Sequence, residues 1–127
     1  MKTKFSHHYT REEAKALMPQ LREWLEEIRE LQKQMVRYES QLDTLIGNGD
    51  DAGGRSVNEN VRAVARLQQL SREFDEREIF IKDTERGLVD FPAIVGGREV
   101  FLCWESDEDD IEFWHDIDSG FAGRERL

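Results

Sequence analysis

His115 is the one imidazole beyond the first eight residues, and it stands among carboxylates, in Trp114-His115-Asp116 with Glu112 and Asp118 nearby. One imidazole with carboxylates is a donor set for a divalent metal ion of borderline hardness. On a strand, alternation puts Phe113 and His115 on one face and Glu112 and Trp114 on the other, so Glu112 is badly placed to join the ring. His115 with Asp118 is therefore the metal pair to examine, although a hydrogen-bonded structural histidine is the favoured reading. Asp90, Arg98 and Arg124 form a second set. A planar guanidinium suits a carboxylate or phosphate ligand, and Asp90 or Asp118 would equally serve as internal ion-pair partners. The reaction, if there is one, is not legible, and neither is a cofactor.

Other arrangements are weaker. Asp116-Ile117-Asp118-Ser119-Gly120 begins like a calcium loop but has Gly at the fifth position and lacks the bidentate Glu at the twelfth. Cys103 lies in an apolar run, where a thiol behaves as a small hydrophobe. A Cys103–His115 nucleophilic pair would need adjacent strands and an oxyanion arrangement. Phosphate-cradling glycine loops, paired CxxC motifs and HExxH are all absent from the sequence.

The elements that must position these residues are readable. The chain has 127 residues, the size of one domain, with 36% charged residues and a net charge of −10. Eight of its 28 acidic residues fall between Glu105 and Asp118, leaving 20 against 18 basic residues elsewhere. That balance gives no clustered positive charge, so nucleic-acid binding is not expected. The acidic run Asp107–Asp110 reads as a solvated turn. The longest uncharged run is the seven residues Phe91–Gly97, so no membrane span is expected. The N-terminal residues lack the apolar core of a secretory signal, and one cysteine excludes an internal disulfide. A reducing, cytoplasmic setting is the expectation.

Thr10-Arg11-Glu12-Glu13 is a capping box that should open a helix. Behind it, Ala14, Leu21, Ile28, Met35 and Leu42 at a positions alternate with Leu17, Trp24, Leu31, Tyr38 and Leu45 at d positions, without a miss. This predicts a helix over 11–46, broken by a glycine-rich tip loop at 47–55. Ser56-Val57-Asn58-Glu59 predicts a second cap and a helix over 56–80, carried by Val57, Val61, Val64, Leu67, Leu70 and Phe74. A short loop makes the two helices an antiparallel hairpin. The first is longer than the second can cover, and Pro19 should bend its overhanging start toward the C-terminal residues. Asp50 and Asp51 would project at the tip, in shape like the acidic tips of coiled-coil transcript-cleavage factors.

From Gly87 the pattern changes. Leu88–Ala93 and Arg98–Trp104 read as strands around a Val95-Gly96-Gly97 turn. The second is apolar on both faces and should be central. Ile111–His115 reads as a third strand, and Pro92 should confine the first to an edge. Gly120-Phe121-Ala122-Gly123-Arg124 suggests a tight return that buries Phe121 and brings Arg124 toward His115. The fold class is α+β: a long coiled-coil-like antiparallel helical hairpin (10–80) with a small C-terminal antiparallel sheet (87–127), one domain in all.

The Thr-x-Glu-Glu-Ala start at 10–14, Leu-Met-Pro at 17–19, Gly87-Leu88-Val89-Asp90-Phe91-Pro92-Ala93, Gly97-Arg98-Glu99-Val100, Leu102-Cys103-Trp104, Trp114-His115 and Gly120–Arg124 together resemble one prokaryotic family, along essentially the whole chain. That family is a domain of unknown function, so the resemblance implies neither an activity nor a cofactor. The seam length favours an interaction protein that self-associates as a dimer or larger homo-oligomer, with another protein as a second kind of partner. The alternative is a small metal- or anion-binding protein or enzyme around His115, Asp90, Arg98 and Arg124.

Overall fold

In the computed structural model, which describes residues 2–47 and 54–127, two helices precede a five-stranded antiparallel sheet. The acidic tip pair Asp50 and Asp51 lies outside the described residues. Helix α1 spans Arg11–Gly47 and α2 spans Arg55–Glu76. The strands are β1 (Phe80–Asp83), β2 (Leu88–Val95), β3 (Arg98–Glu105), β4 (Phe113–Asp116) and β5 (Glu125–Arg126), in the order β1-β2-β3-β4-β5. The sheet is thus a meander in chain order, with β3 at its centre as both-sided apolarity required.

The first cap forms as expected. The Glu13 amide donates to Thr10 Oγ1 at 3.1 Å, and the Thr10 amide donates back to Glu13 Oε1 at 3.3 Å. The second does not. Helix α2 is capped by Gly54 without a side-chain hydrogen bond, and Glu59 instead pairs with Arg55 at 2.9 Å. Helix α1 runs unbroken through Pro19. The helices are antiparallel, with Trp24 edge-on to Phe74 and Glu27 bidentate to Arg66.

Ala14, Met18, Leu21, Leu25 and Ile28 are buried in one cluster with Val89, Phe91, Val100, Leu102 and Trp104. Their spacing of three and four residues makes one helix face, which covers one face of the sheet. The overhang of α1 therefore meets the strands, as its length demanded.

Helix α2 ends at Glu76 rather than at residue 80, and the residues that follow form an unforeseen strand. Glu78 takes φ 54°, in the left-handed region, and the Ile79 amide returns to the Phe74 carbonyl at 3.0 Å. This reversal lets Phe80 and Ile81 pair with Asp90 and Val89. Strand β2 is consequently not at the edge. Pro92 is tolerated because β1 pairs only with Leu88–Asp90, and past its end the Pro92 carbonyl accepts the Tyr9 amide at 2.7 Å. Strand β4 starts two residues later than expected, and Ile111 is buried outside it.

The sheet face turned away from the helices is covered by the chain's two ends. Phe5 packs against Phe80 and Phe101. Lys4 and Phe5 donate their amides to the Glu99 carboxylate, while Ser6 and His7 donate theirs to Glu78. From the other side the tail returns through a short 3-10 turn, Phe121–Gly123, into β5, which pairs with β4.

Candidate functional site

The covered face holds the polar centre. Asp90 on β2 lies directly opposite Cys103 on β3, and His115 on β4 pairs with Phe101, one step along the same face. All three are buried, at 2%, 0% and 2% exposure respectively. One ligand atom from each lies within 4.8 Å of the others.

The hydrogen bonds fix the ring's chemistry. His115 Nδ1 is 2.8 Å from the Asp116 carbonyl, which can only accept, so Nδ1 carries a hydrogen. Nε2 then faces Asp90 Oδ2 at 3.0 Å. Two lone pairs cannot share that contact, so a cation must lie between them, and in the protein alone it is one proton. Burial pushes the Asp90 carboxyl above its usual range, against the opposing pull of His115. Its other oxygen, Oδ1, is buried with no hydrogen-bond partner among the described residues. Burial, followed by the neighbouring Asp90 charge, raises the Cys103 thiol to about 12, so it stands as a thiol rather than a nucleophilic thiolate.

A cavity of about 190 Å³ opens beside Asp90 and His115, bounded by Lys82, Phe101, Ser119 and Phe121. Its floor is the central part of the sheet, while its outer wall is the returning tail.

The remaining candidates are elsewhere. Arg98 pairs with Asp116 and lies 5.7 Å from the centre of the Trp114 ring, outside the buried group. Asp118 is exposed and outside the buried group. Arg124 returns to the acidic segment as expected, bonding Glu108 Oε2 at 2.6 Å, but its guanidinium is held between Phe113 and Phe121 rather than on His115. Phe121 is only half-buried, beneath the guanidinia of Arg86 and Arg124. The sequence thus named Asp90 and His115 but not their union with Cys103. The signal was in the turn: a two-residue Gly96-Gly97 loop between Val95 and Arg98 dictates the register that sets Asp90 against Cys103.

The acidic run is more than a solvated turn. Asp110 pairs with Arg11 and Lys15, and Glu108 offers its carbonyl to both Arg22 and Trp104. Four of the contacts that fasten α1 and the tail to the sheet end here.

A hairpin whose first helix packs on a meander sheet, with a buried Asp–Cys–His group under the opposite face, defines a small α+β protein with an enclosed polar centre. The chain belongs to the family described as uncharacterized conserved protein (DUF2203), whose model matches residues 7–127. Neither a curated protein nor a solved structure matches it. Among the described residues, no helix is long and apolar enough to cross a membrane.

Proposed function

We propose that this is an assembly protein which pairs with a second copy of itself through the open side of its hairpin, in a reducing cytoplasmic setting. The supporting observation is a charge-free stripe on α2. That helix carries eight charged residues, yet Val57, Val61, Val64, Ala65, Gln68 and Ser71 make one uninterrupted uncharged row along it. Val64, Gln68 and Ser71 edge a groove of about 500 Å³, which α1 closes with Ile28 and Gln32. Val61, at 60% exposure, extends the stripe beyond the groove, and Val36 on α1 is 65% exposed.

Depletion of charge, more than apolarity as such, distinguishes the centre of a protein interface from other surface. The stripe is the same kind of surface along its length, with small residues Ala65 and Ser71 allowing close approach. An antiparallel two-fold pairing would match the stripe to itself and build a four-helix arrangement.

Sedimentation at about 50 μM, a concentration suited to modest interfaces, should give a dimer for the wild type. The double substitution Val61→Glu with Gln68→Glu should give a monomer of unchanged helicity. A wild-type monomer at that concentration would refute the assembly reading.

A further inference from the structure

We propose that Asp90, Cys103 and His115 bind a divalent transition-metal ion of the zinc class, through a carboxylate oxygen, Sγ and Nε2, leaving a fourth position open to the adjoining cavity. This inference is independent of self-association.

The geometry supports it at three points. The three ligand atoms already lie within 4.8 Å of one another, on the three middle strands of the sheet. Tetrahedral ligation at about 2.0–2.3 Å would bring them to roughly 3.4–3.6 Å apart. Nε2 and Oδ2, at 3.0 Å, would part slightly, and the wider separations would close by at most about 1.4 Å. His115 is already oriented as metal-bound histidines are. It donates Nδ1–H to a backbone carbonyl and thereby aims Nε2 at Asp90. Asp90 Oδ1 is buried with no hydrogen-bond partner among the described residues, an acceptor that a cation would satisfy.

The donor types select the ion. A sulfur, an imidazole and a single carboxylate suit zinc and its neighbours and do not suit calcium or magnesium, which require mostly oxygen ligands. Three protein ligands with an open fourth position resemble catalytic rather than structural zinc sites. The cavity of about 190 Å³ is large enough for water or a small anion at that position, and Lys82 at its wall favours the anion.

The experiment uses full-length protein freed of metal with a chelator and titrated with Co²⁺ and then Zn²⁺. One equivalent of Co²⁺ should produce a thiolate-to-cobalt charge-transfer band in the near ultraviolet and intense tetrahedral visible bands. Zn²⁺ should abolish both and raise the melting temperature, with release of about two protons per ion. Cys103→Ala should lose the charge-transfer band. Asp90→Asn, nearly isosteric, should weaken Zn²⁺ binding by at least about tenfold, and Asp118→Ala should leave it unchanged. The wild-type spectrum decides even if the Cys103 variant fails to fold. Absence of the charge-transfer band, or Zn²⁺ affinity unaffected by Asp90→Asn, would overturn the assignment.

Discussion

Arg22 and Trp104 are joined through a single carbonyl. The Arg22 guanidinium lies 5.3 Å from the centre of the indole ring, and its Nη2 donates to the Glu108 carbonyl at 2.8 Å. Trp104 Nε1–H donates to the same oxygen at 3.0 Å. A second Arg22 bond reaches the Ser106 carbonyl at 3.1 Å. Helix, central strand and acidic loop are thereby fixed at one point.

Replacing Arg22 with Ala removes two charge-assisted hydrogen bonds and a cation–π contact, but leaves the Glu108 carbonyl satisfied by Trp104. A loss of about 2–3 kcal/mol is expected, read as a lowered urea midpoint. Arg22→Lys should recover less than half of it, since an ammonium cannot span both carbonyls. Full recovery by Lys would show that charge alone matters.

Gly87 and Gly96 both adopt positive φ, at 67° and 60°, yet they should respond differently to alanine. A Cβ at Gly87 would lie 2.2 Å from Ser106 Oγ and 2.8 Å from Arg29 Nη2, whereas one at Gly96 meets nothing within 4 Å. Gly96→Ala carries only the conformational penalty of about 1–2 kcal/mol. Gly87→Ala adds displacement of the Arg29 anchor, for a total of roughly 3–5 kcal/mol. Equal midpoints for the two variants in denaturant would contradict this close packing.

The N-terminal segment should loosen in acid. Against the opposing effect of burial, His8 and the amides of Lys4 and Phe5 hold the Glu99 carboxyl below its ordinary 4.5. A depressed carboxyl contributes stability that is present above its unfolded value and lost as pH falls through the folded one. Wild type should therefore exceed Glu99→Gln in stability near neutral pH and converge with it as pH falls through the depressed folded-state range of Glu99. Amide exchange at Lys4 and Phe5 should rise over the same window. A constant difference between the two proteins at all pH values would exclude Glu99 as the clip.

Much of the fold is written in local chemistry. Ten apolar residues in heptad register specify α1, Thr10 and Glu13 specify its start, and apolarity on both sides of Arg98–Trp104 specifies a central strand. Strand β1 escapes that kind of reading. Ile79, Phe80 and Ile81 prolong the apolar spacing of α2, and the reversal before them is made by Glu78 in a left-handed conformation, with neither Gly nor Pro to announce it. The caps differ for a related reason: Gly54 can enter a helix from φ 89°, which removes the role left for Ser56.

The site was legible in pieces. Asp90 and His115 stood out as chemical groups, and the glycine turn set Asp90 opposite Cys103. Asp90 was already a candidate neighbour of His115, but the register that joins them was hidden, because the connection from β3 to β4 is irregular and no turn type fixes it. Arg22 gave no signal, being a polar-face residue whose partners lie 84 and 86 positions away.

That separation has a kinetic consequence. A meander in chain order pairs each strand with its neighbour in sequence, so the sheet requires little ordering of distant chain. Helix α1 is different, since its grip on Ser106 and Glu108 closes most of the polypeptide into one loop. The sheet and α2 should assemble first, and the start of α1 should dock late. Arg22→Ala is then expected to hasten unfolding while leaving the refolding rate nearly unaltered, and a slowed refolding limb would place the docking before the barrier.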